Sequence, residues 1–442
     1  MRRGAARGTR RATRIVKGRL NLFQVAMLRW RGLHPYNAVH VAQVGAALDP
    51  GPLREAIGAQ LAAAGLTGLV IDATHARYDY RGGPAVFPLE VVDGSSDVHA
   101  ALCREIERQL NLPFPADGSI APFRFFALAD AGGFRLGLAY DHFIAGGDSI
   151  VALLQDIVER YLGRPPARPP PDVYPPTFGR LLARETVAFV RGLAALPAQI
   201  ASCRRGARPK YFDTRDGHNG FMHVRLTPAE TATLIARAKE WGVTFNDLLL
   251  AVLLDVIAPA VRALRRSGKR DEIAVASIVN LRGALGLDTR STFGQFLSSM
   301  RLSHAMPDGI TLERLARDVH RDTQRFKTRR LHLQTLLAVR VNGIAWRFMQ
   351  DASRRHFYAK TFPVWAGVTT LNVNALWETR EGAGPPDYLR AVPTGPLAPL
   401  VLAATTAGDV VHLGFSYRRS AWWPDGVDRI VDSVVTRIRA LA

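Results

Sequence analysis

The sequence predicts a two-lobed protein of mixed α/β (α+β) class. Three observations carry this. The chain has 442 residues, more than one hydrophobic core usually serves. Strand-like alternation and helix-like spacing of apolar residues interleave in both halves, the pattern of layered strands and helices. Seven prolines between residues 165 and 176 separate the halves, and so many exclude regular helix or central strand. The predicted organisation is a basic flexible arm at 1–19, a first lobe at 20–164, a proline-rich linker and connecting helix at 165–215, and a second lobe at 216–442.

In the first lobe, "LNLFQVAMLRW" has helical spacing and "YNAVHVAQVG" (36–45) alternates as a strand. "DPGPLREAIGAQLAAAG" reads as a turn, a proline in the first helical turn, and an amphipathic helix stopped by Gly65. "FPLEVVD" and "FRFFALAD" fit strands, and 97–110 fits a helix. "GGFRLGLAYDHF" is a glycine turn followed by a strand that ends at His142. The helix at 149–163 takes Asp148 or Ser149 as its cap and Gly163 as its stop. Residues 178–210 read as helical and end in the basic cluster "CRRGARPK".

The second lobe opens with a strand, "GFMHVRL", and a helix start at Thr227-Pro228-Ala229-Glu230. Residues 241–268 read as a turn, a cap and a long buried helix, with Asn246 and Asp247 as capping residues in preference to substrate contacts. "EIAVASIVNLRG", "GVTTLNVNAL" and "DVVHLGFSYR" fit strands, and "GVDRIVDSVVTRIRALA" the final helix.

A hydrophobic fraction of 48% and a charged fraction of 22% are those of an ordinary globular protein. The net charge of +20 is not. It favours an anionic partner, whether nucleic acid, an anionic membrane surface, an acidic carrier protein or a phosphorylated cofactor. No helix-turn-helix, zinc-finger or RNA-binding motif accompanies the arginines, so no specific nucleic acid is expected. Basic residues gather at 1–19, 204–210, 262–270 and 321–330, each run being either a binding face or solvated surface. Cys103 and Cys203 form no disulfide framework and have no metal-type spacing. With no signal peptide and no run of 18 apolar residues, the expectation is a cytoplasmic monomer without a metal.

The local pattern that carries chemistry is "AYDHFIAGGDSIV" (139–151). A strand end, a glycine pair and a helix start form a common layout for active sites. Amides at a helix N-terminus favour developing negative charge. On this evidence His142 is either a catalytic base or a hydrogen-bonded turn residue. Asp141 should face away from it, since consecutive strand residues point to opposite faces. No G-x-S-x-G elbow surrounds Ser149, which argues against a nucleophile.

The stretch resembles the H-H-x-x-x-D-G motif of the acyltransferase superfamily of chloramphenicol acetyltransferase, peptide-synthetase condensation domains and wax ester synthases. His142 matches the second, catalytic histidine, Gly147 the motif glycine, and Ser149 a serine often found two places later. Asp141 stands at the first histidine and Gly146 at the motif aspartate. Other stretches agree in order: "LHPYNAVHV", "LDPGPLREAI", "GVTFNDLLLAVLLDVI", "SIVNLRG", "STFGQFLSSM", "FPVWAGVTTLNVNAL" and "HLGFSYRRSAWWPDGVDRIV". The similarity spans about residues 22–440.

The resemblance implies two chloramphenicol acetyltransferase-like lobes with a substrate tunnel between them. It implies an acyltransferase taking acyl groups from acyl-CoA or an acidic acyl carrier protein to an alcohol or amine, with His142 as general base. Coenzyme A or a phosphopantetheine thioester is then a co-substrate, with no bound cofactor. Amides near 147–149, or Ser149, are the expected oxyanion donors. The family's aspartate pairs with an arginine, so Asp148 is the expected substitute for Gly146 and Arg282 its partner. Asn280, Gly294, Thr370 and Asn372 are expected along the tunnel. Loss of the aspartate also allows a catalytically inactive protein that binds an acyl carrier or lipid. The apolar segment 178–205, with basic ends, either bridges the lobes or rests on a membrane surface.

Overall fold

The computed structural model describes residues 16–94, 97–175, 178–264, 270–379, 384–421, 423 and 426–441. Most of the predicted basic arm (1–15) and part of the basic run at 262–270 lie outside them. Two sheets organise the molecule. The first-lobe sheet has five strands in the order Tyr388–Ala391, Asn37–Val44, Gly133–Asp141, Phe123–Asp130 and Leu89–Val92, antiparallel except for the last pair. The second-lobe sheet has six, in the order Asn219–Arg225, Val410–Arg418, Leu400–Ala407, Ala366–Asn372, Ile273–Asn280 and Leu297–His304. Helix Phe245–Ala263 lies under the second sheet with helices Leu312–Thr328 and Gly426–Arg439 against it. Its unbroken apolar run from Leu248 to Leu254 is fully buried.

Local sequence signals set many boundaries. Thr227 and Thr244 begin their helices with capping boxes closed by Glu230 and Asp247. Each box satisfies two backbone amides that lack a partner within the helix. Gly65 and Gly163 adopt positive φ just past their helices, where a side chain would be strained.

Three expectations are corrected. Residues 16–19 are not arm but a strand paired with Arg77–Tyr80. The proline-rich stretch holds no central strand, only the two-residue Asp172–Val173 in a two-stranded sheet, parallel to Thr292–Phe293. The connecting helix is three helices, Phe178–Arg184, Thr186–Leu193 and Leu196–Arg205. Pro197 fits only a first helical turn, so a new helix must begin just before it. Finally, the lobes are not contiguous in sequence, because Tyr388–Ala391 leaves the second half to form an edge strand of the first sheet. Both cysteines are free. No single helix among the described residues is long and apolar enough to cross a membrane.

Candidate active site

His142 follows directly on strand Gly133–Asp141, and helix Gly147–Tyr161 starts five residues later. It lines a cavity of about 230 Å³ whose wall is shared between the lobes. Phe23, Met27, Trp30 and Tyr36 come from the first half, and Leu297, Val339, Leu371 and Val401 from the second. The wall is mostly apolar, with His40, Tyr140, His142, Asp148 and Arg390 as convergent polar groups, as binding cavities commonly are.

The His142 ring packs near Tyr36 and Tyr140, with centroids 5.5 and 5.9 Å away. Its Nδ1 is enclosed with no hydrogen-bond partner among the described residues. That leaves Nε2 as the nitrogen toward the cavity. Burial, assisted by the Arg390 charge, lowers its pKa to about 4. The imidazole is therefore neutral near pH 7, the form that accepts a proton.

Asp141 points away from this ring, as alternation requires. It is buried and paired with Arg31. Burial raises its carboxyl to about 6, with Arg31 opposing that rise. Asp141 thus ties the motif strand to helix Leu22–Arg31 and takes no part at the cavity.

Gly146 leaves room for a different support from the one an aspartate gives. Gln295 donates its amide to the carbonyls of His142 (2.9 Å) and Ala145 (3.2 Å). A Cβ on Gly146 would lie 3.0 Å from Gln295 Oε1. The Gly146 amide donates to the Gly294 carbonyl (3.0 Å). A glutamine from the other half of the chain therefore occupies the space beside position 146.

The second support is Arg282, which is buried, not exposed. Its Nε stands 3.4 Å from Asp148, and its Nη2 donates to Ser149 Oγ at 2.6 Å. Asn280 Nδ2 donates to the same Asp148 carboxylate at 2.6 Å. Neither Asp148 nor Ser149 caps the helix; Gly146 is the N-cap and makes no side-chain bond. Their side chains are drawn to Asn280 and Arg282. Ser149 Oγ also accepts from the Gly294 amide (3.1 Å) and donates to its carbonyl (3.3 Å). With its proton so engaged, and its side chain off the wall of the main cavity, the Ser149 hydroxyl is not free to donate into that cavity, contrary to the expected oxyanion role.

Asn280 and Thr370 line the cavity; Gly294 and Asn372 do not. Gly294 acts through its backbone, and Asn372 turns outward to accept from the Asn374 amide (3.1 Å). Asn246 accepts from Ser277 Oγ (3.2 Å), and Asp247 is held by Thr244 and by His320 (2.8 Å), so neither reaches the cavity. Gly147 does: a Cβ there would come within 3.4 Å of Arg390, 3.5 Å of His40 and 3.6 Å of Leu371. Arg31, His40, Gln295 and Arg390 escape a reading of the sequence. His40 had a signal, since it shares one strand face with the buried Ala38 and Ala42.

A second cavity, of about 360 Å³, shares Trp30, Val339, Asn342 and Tyr358 with the first. Arg29, Arg340 and Arg347 stand around it.

No protein-family model matches the chain, and no curated protein does. Solved structures do. The first condensation domain of the CDA synthetase is 17% identical, with a TM-score of 0.63 over 96% of both chains. The EpoB cyclization-docking bidomain from Sorangium cellulosum is 14% identical, with a TM-score of 0.69 over 96% of this chain and 84% of that one. SgcC5 from Streptomyces globisporus, solved with an aryl ethanediol and sucrose, is 12% identical with a TM-score of 0.62 over 96% and 98%. At these identities the likeness establishes a shared fold.

Proposed function

We propose, from the two-lobed chloramphenicol acetyltransferase-like fold shared with condensation domains, that this chain is an acyltransferase. It moves an acyl group from a pantetheine thioester, on coenzyme A or an acyl carrier protein, to an alcohol or amine. The observation that carries this is His142, neutral and braced, on the wall of an apolar cavity between lobes.

The chemistry follows from that placement. An acceptor hydroxyl or amine at Nε2 gives up its proton as its heteroatom bonds to the thioester carbonyl carbon. The tetrahedral oxyanion collapses, the C–S bond breaks, and the imidazolium returns the proton to the leaving thiolate. No acyl-enzyme forms. The Gly147 and Asp148 amides, at the cavity wall and uncapped by any side chain, are suited to hold the oxyanion. Burial that disfavours the imidazolium speeds its return of the proton. Arg29, Arg340 and Arg347 at the adjoining cavity suit the donor's phosphate groups. Exposed Val187, Val190 and Ile200 beside basic residues support contact with an anionic membrane surface. The aryl ethanediol in SgcC5 supports an oxygen acceptor here.

Purified protein should release free thiol from acyl thioesters when the right acceptor is present. His142→Ala should lose about 10²- to 10⁴-fold in kcat, the usual weight of a general base. Undiminished turnover in that variant overturns the assignment. Gly146 favours one other reading, a condensation-like protein that binds a carrier or lipid without turnover. Salt-sensitive binding of an acidic carrier, with no transfer across a broad panel of thioesters and acceptors, would establish it instead.

A further inference from the structure

Arg390 lies in the short strand that crosses between lobes, directly opposite His40 in the register. The residue is 3% exposed. Every hydrogen bond its guanidinium makes among the described residues goes to a neutral acceptor: Thr405 Oγ1 at 2.9 Å, the Thr369 carbonyl at 3.1 Å and the Ala404 carbonyl at 3.2 Å. Nε and Nη2 are used in these bonds. Nη1 is not, and it lies against Gly147 at the cavity wall.

A buried charge without a counter-ion is unfavourable, and the protein supplies none nearby that is free. Asp148 is the carboxylate on this wall; its charge also reaches Arg390, but Arg282 and Asn280 already hold it, so two buried guanidiniums share one carboxylate. His40 and His142 are neutral, held so by burial and by Arg390 itself. The cavity therefore carries one uncompensated positive charge beside the proposed base. At the reacting centre a thioester brings none to meet it, because its carbonyl and sulphur are uncharged, and the donor's phosphates fall to Arg29, Arg340 and Arg347 at the adjoining cavity. The missing anion then belongs to the other substrate.

We infer that Arg390 is the anchor for a carboxylate on the acceptor, so that the acceptor is a hydroxy acid or amino acid with its attacking group at His142. This rests on the acyl-transfer reading for the attacking group, whereas the anion site rests on Arg390 alone. Two Nη1 protons at the wall allow a charge-assisted bond that a neutral analogue cannot match.

The test is calorimetric binding of 3-hydroxyoctanoate against its primary amide, which needs no turnover. The acid should bind at least about tenfold more tightly than the amide, and Arg390→Gln should abolish that preference. Arg390→Lys, which keeps the charge, should retain part of it. His142→Ala should keep it in full, separating this site from the assignment of the base. Should Arg390→Gln fail to fold, the comparison in the wild-type protein and in Arg390→Lys still decides. Equal binding of acid and amide, no binding of either, or a folded Arg390→Gln that keeps the preference overturns the proposal.

Discussion

Replacing Gly146 with alanine should destabilise the protein when Gln295 is present and stabilise it when Gln295 is absent. The backbone at 146 has φ −80° and ψ 163°, which alanine adopts freely. On its own, a glycine-to-alanine change there would gain about 0.4–1 kcal/mol by narrowing the unfolded ensemble. The new Cβ, however, would stand 3.0 Å from Gln295 Oε1, inside normal contact. If the amide swings away, the carbonyls of His142 and Ala145 lose their donor. At about 1 kcal/mol net per bond, that costs about 2 kcal/mol, and more if the carbonyls stay dry. Gly146→Ala alone should therefore lose about 1–1.5 kcal/mol. In a Gln295→Ala background the Cβ meets vacated space, and the same change should gain roughly 0.5 kcal/mol. Urea midpoints of the four proteins read the sign, since two lobes make an absolute free energy ill-defined. Hydrogen exchange over 139–151 reports whether the loss is local. A change of equal sign and size in both backgrounds would refute the idea that Gln295 fills the place of the aspartate.

Three further outcomes follow from the same geometry. Arg31→Ala leaves Asp141 buried without its partner and should cost about 3–5 kcal/mol at neutral pH; adding Asp141→Asn should recover much of it, as a thermal shift will show. The pKa of His142 is lowered to about 4 from 6.5, so the unfolded chain binds more protons between those values. Stability from this group is full above pH 6.5 and is lost as pH falls toward 4, with a slope approaching about 1.4 kcal/mol per pH unit. His142→Gln should accordingly show a shallower loss of its urea midpoint between pH 6.5 and 4.5; an identical slope contradicts the buried neutral imidazole. Gly147→Val places a branched side chain against Arg390, His40 and Leu371, so it should raise KM or abolish binding while the protein remains folded by circular dichroism.

What the sequence made legible was local. Capping boxes, glycine stops and the alternation that turns Asp141 from His142 each depend on residues within a few positions. The supports of the loop do not. Gln295 reaches His142 across 153 residues, and Asn280 reaches Asp148 across 132. No periodicity announces either contact. The same long-range pull explains why Asp148 and Ser149, good capping residues by type, cap nothing. Arg390 lies hidden in "YLRA", a strand of four residues too short for a pattern. The basic runs stayed open between binding face and solvated surface for the same reason, since Arg205 and Arg330 are paired with Glu272 and Glu185, far away in sequence. Surface charge read from a run counts the cations and misses such partners.

The crossing strand Tyr388–Ala391 also bears on how the molecule is made. During synthesis Asn37–Val44 emerges early, yet its outer neighbour follows about 350 residues later, a delay of roughly 20–70 s at ordinary translation rates. For that interval the first lobe presents an open β-edge, a template for unwanted pairing with other nascent chains. The residue that closes this edge is also the one proposed to greet the acceptor. Completion of the sheet and arrival of the Arg390 charge at the cavity are thus a single event, so a chain stalled before residue 390 has His142 but no anion site.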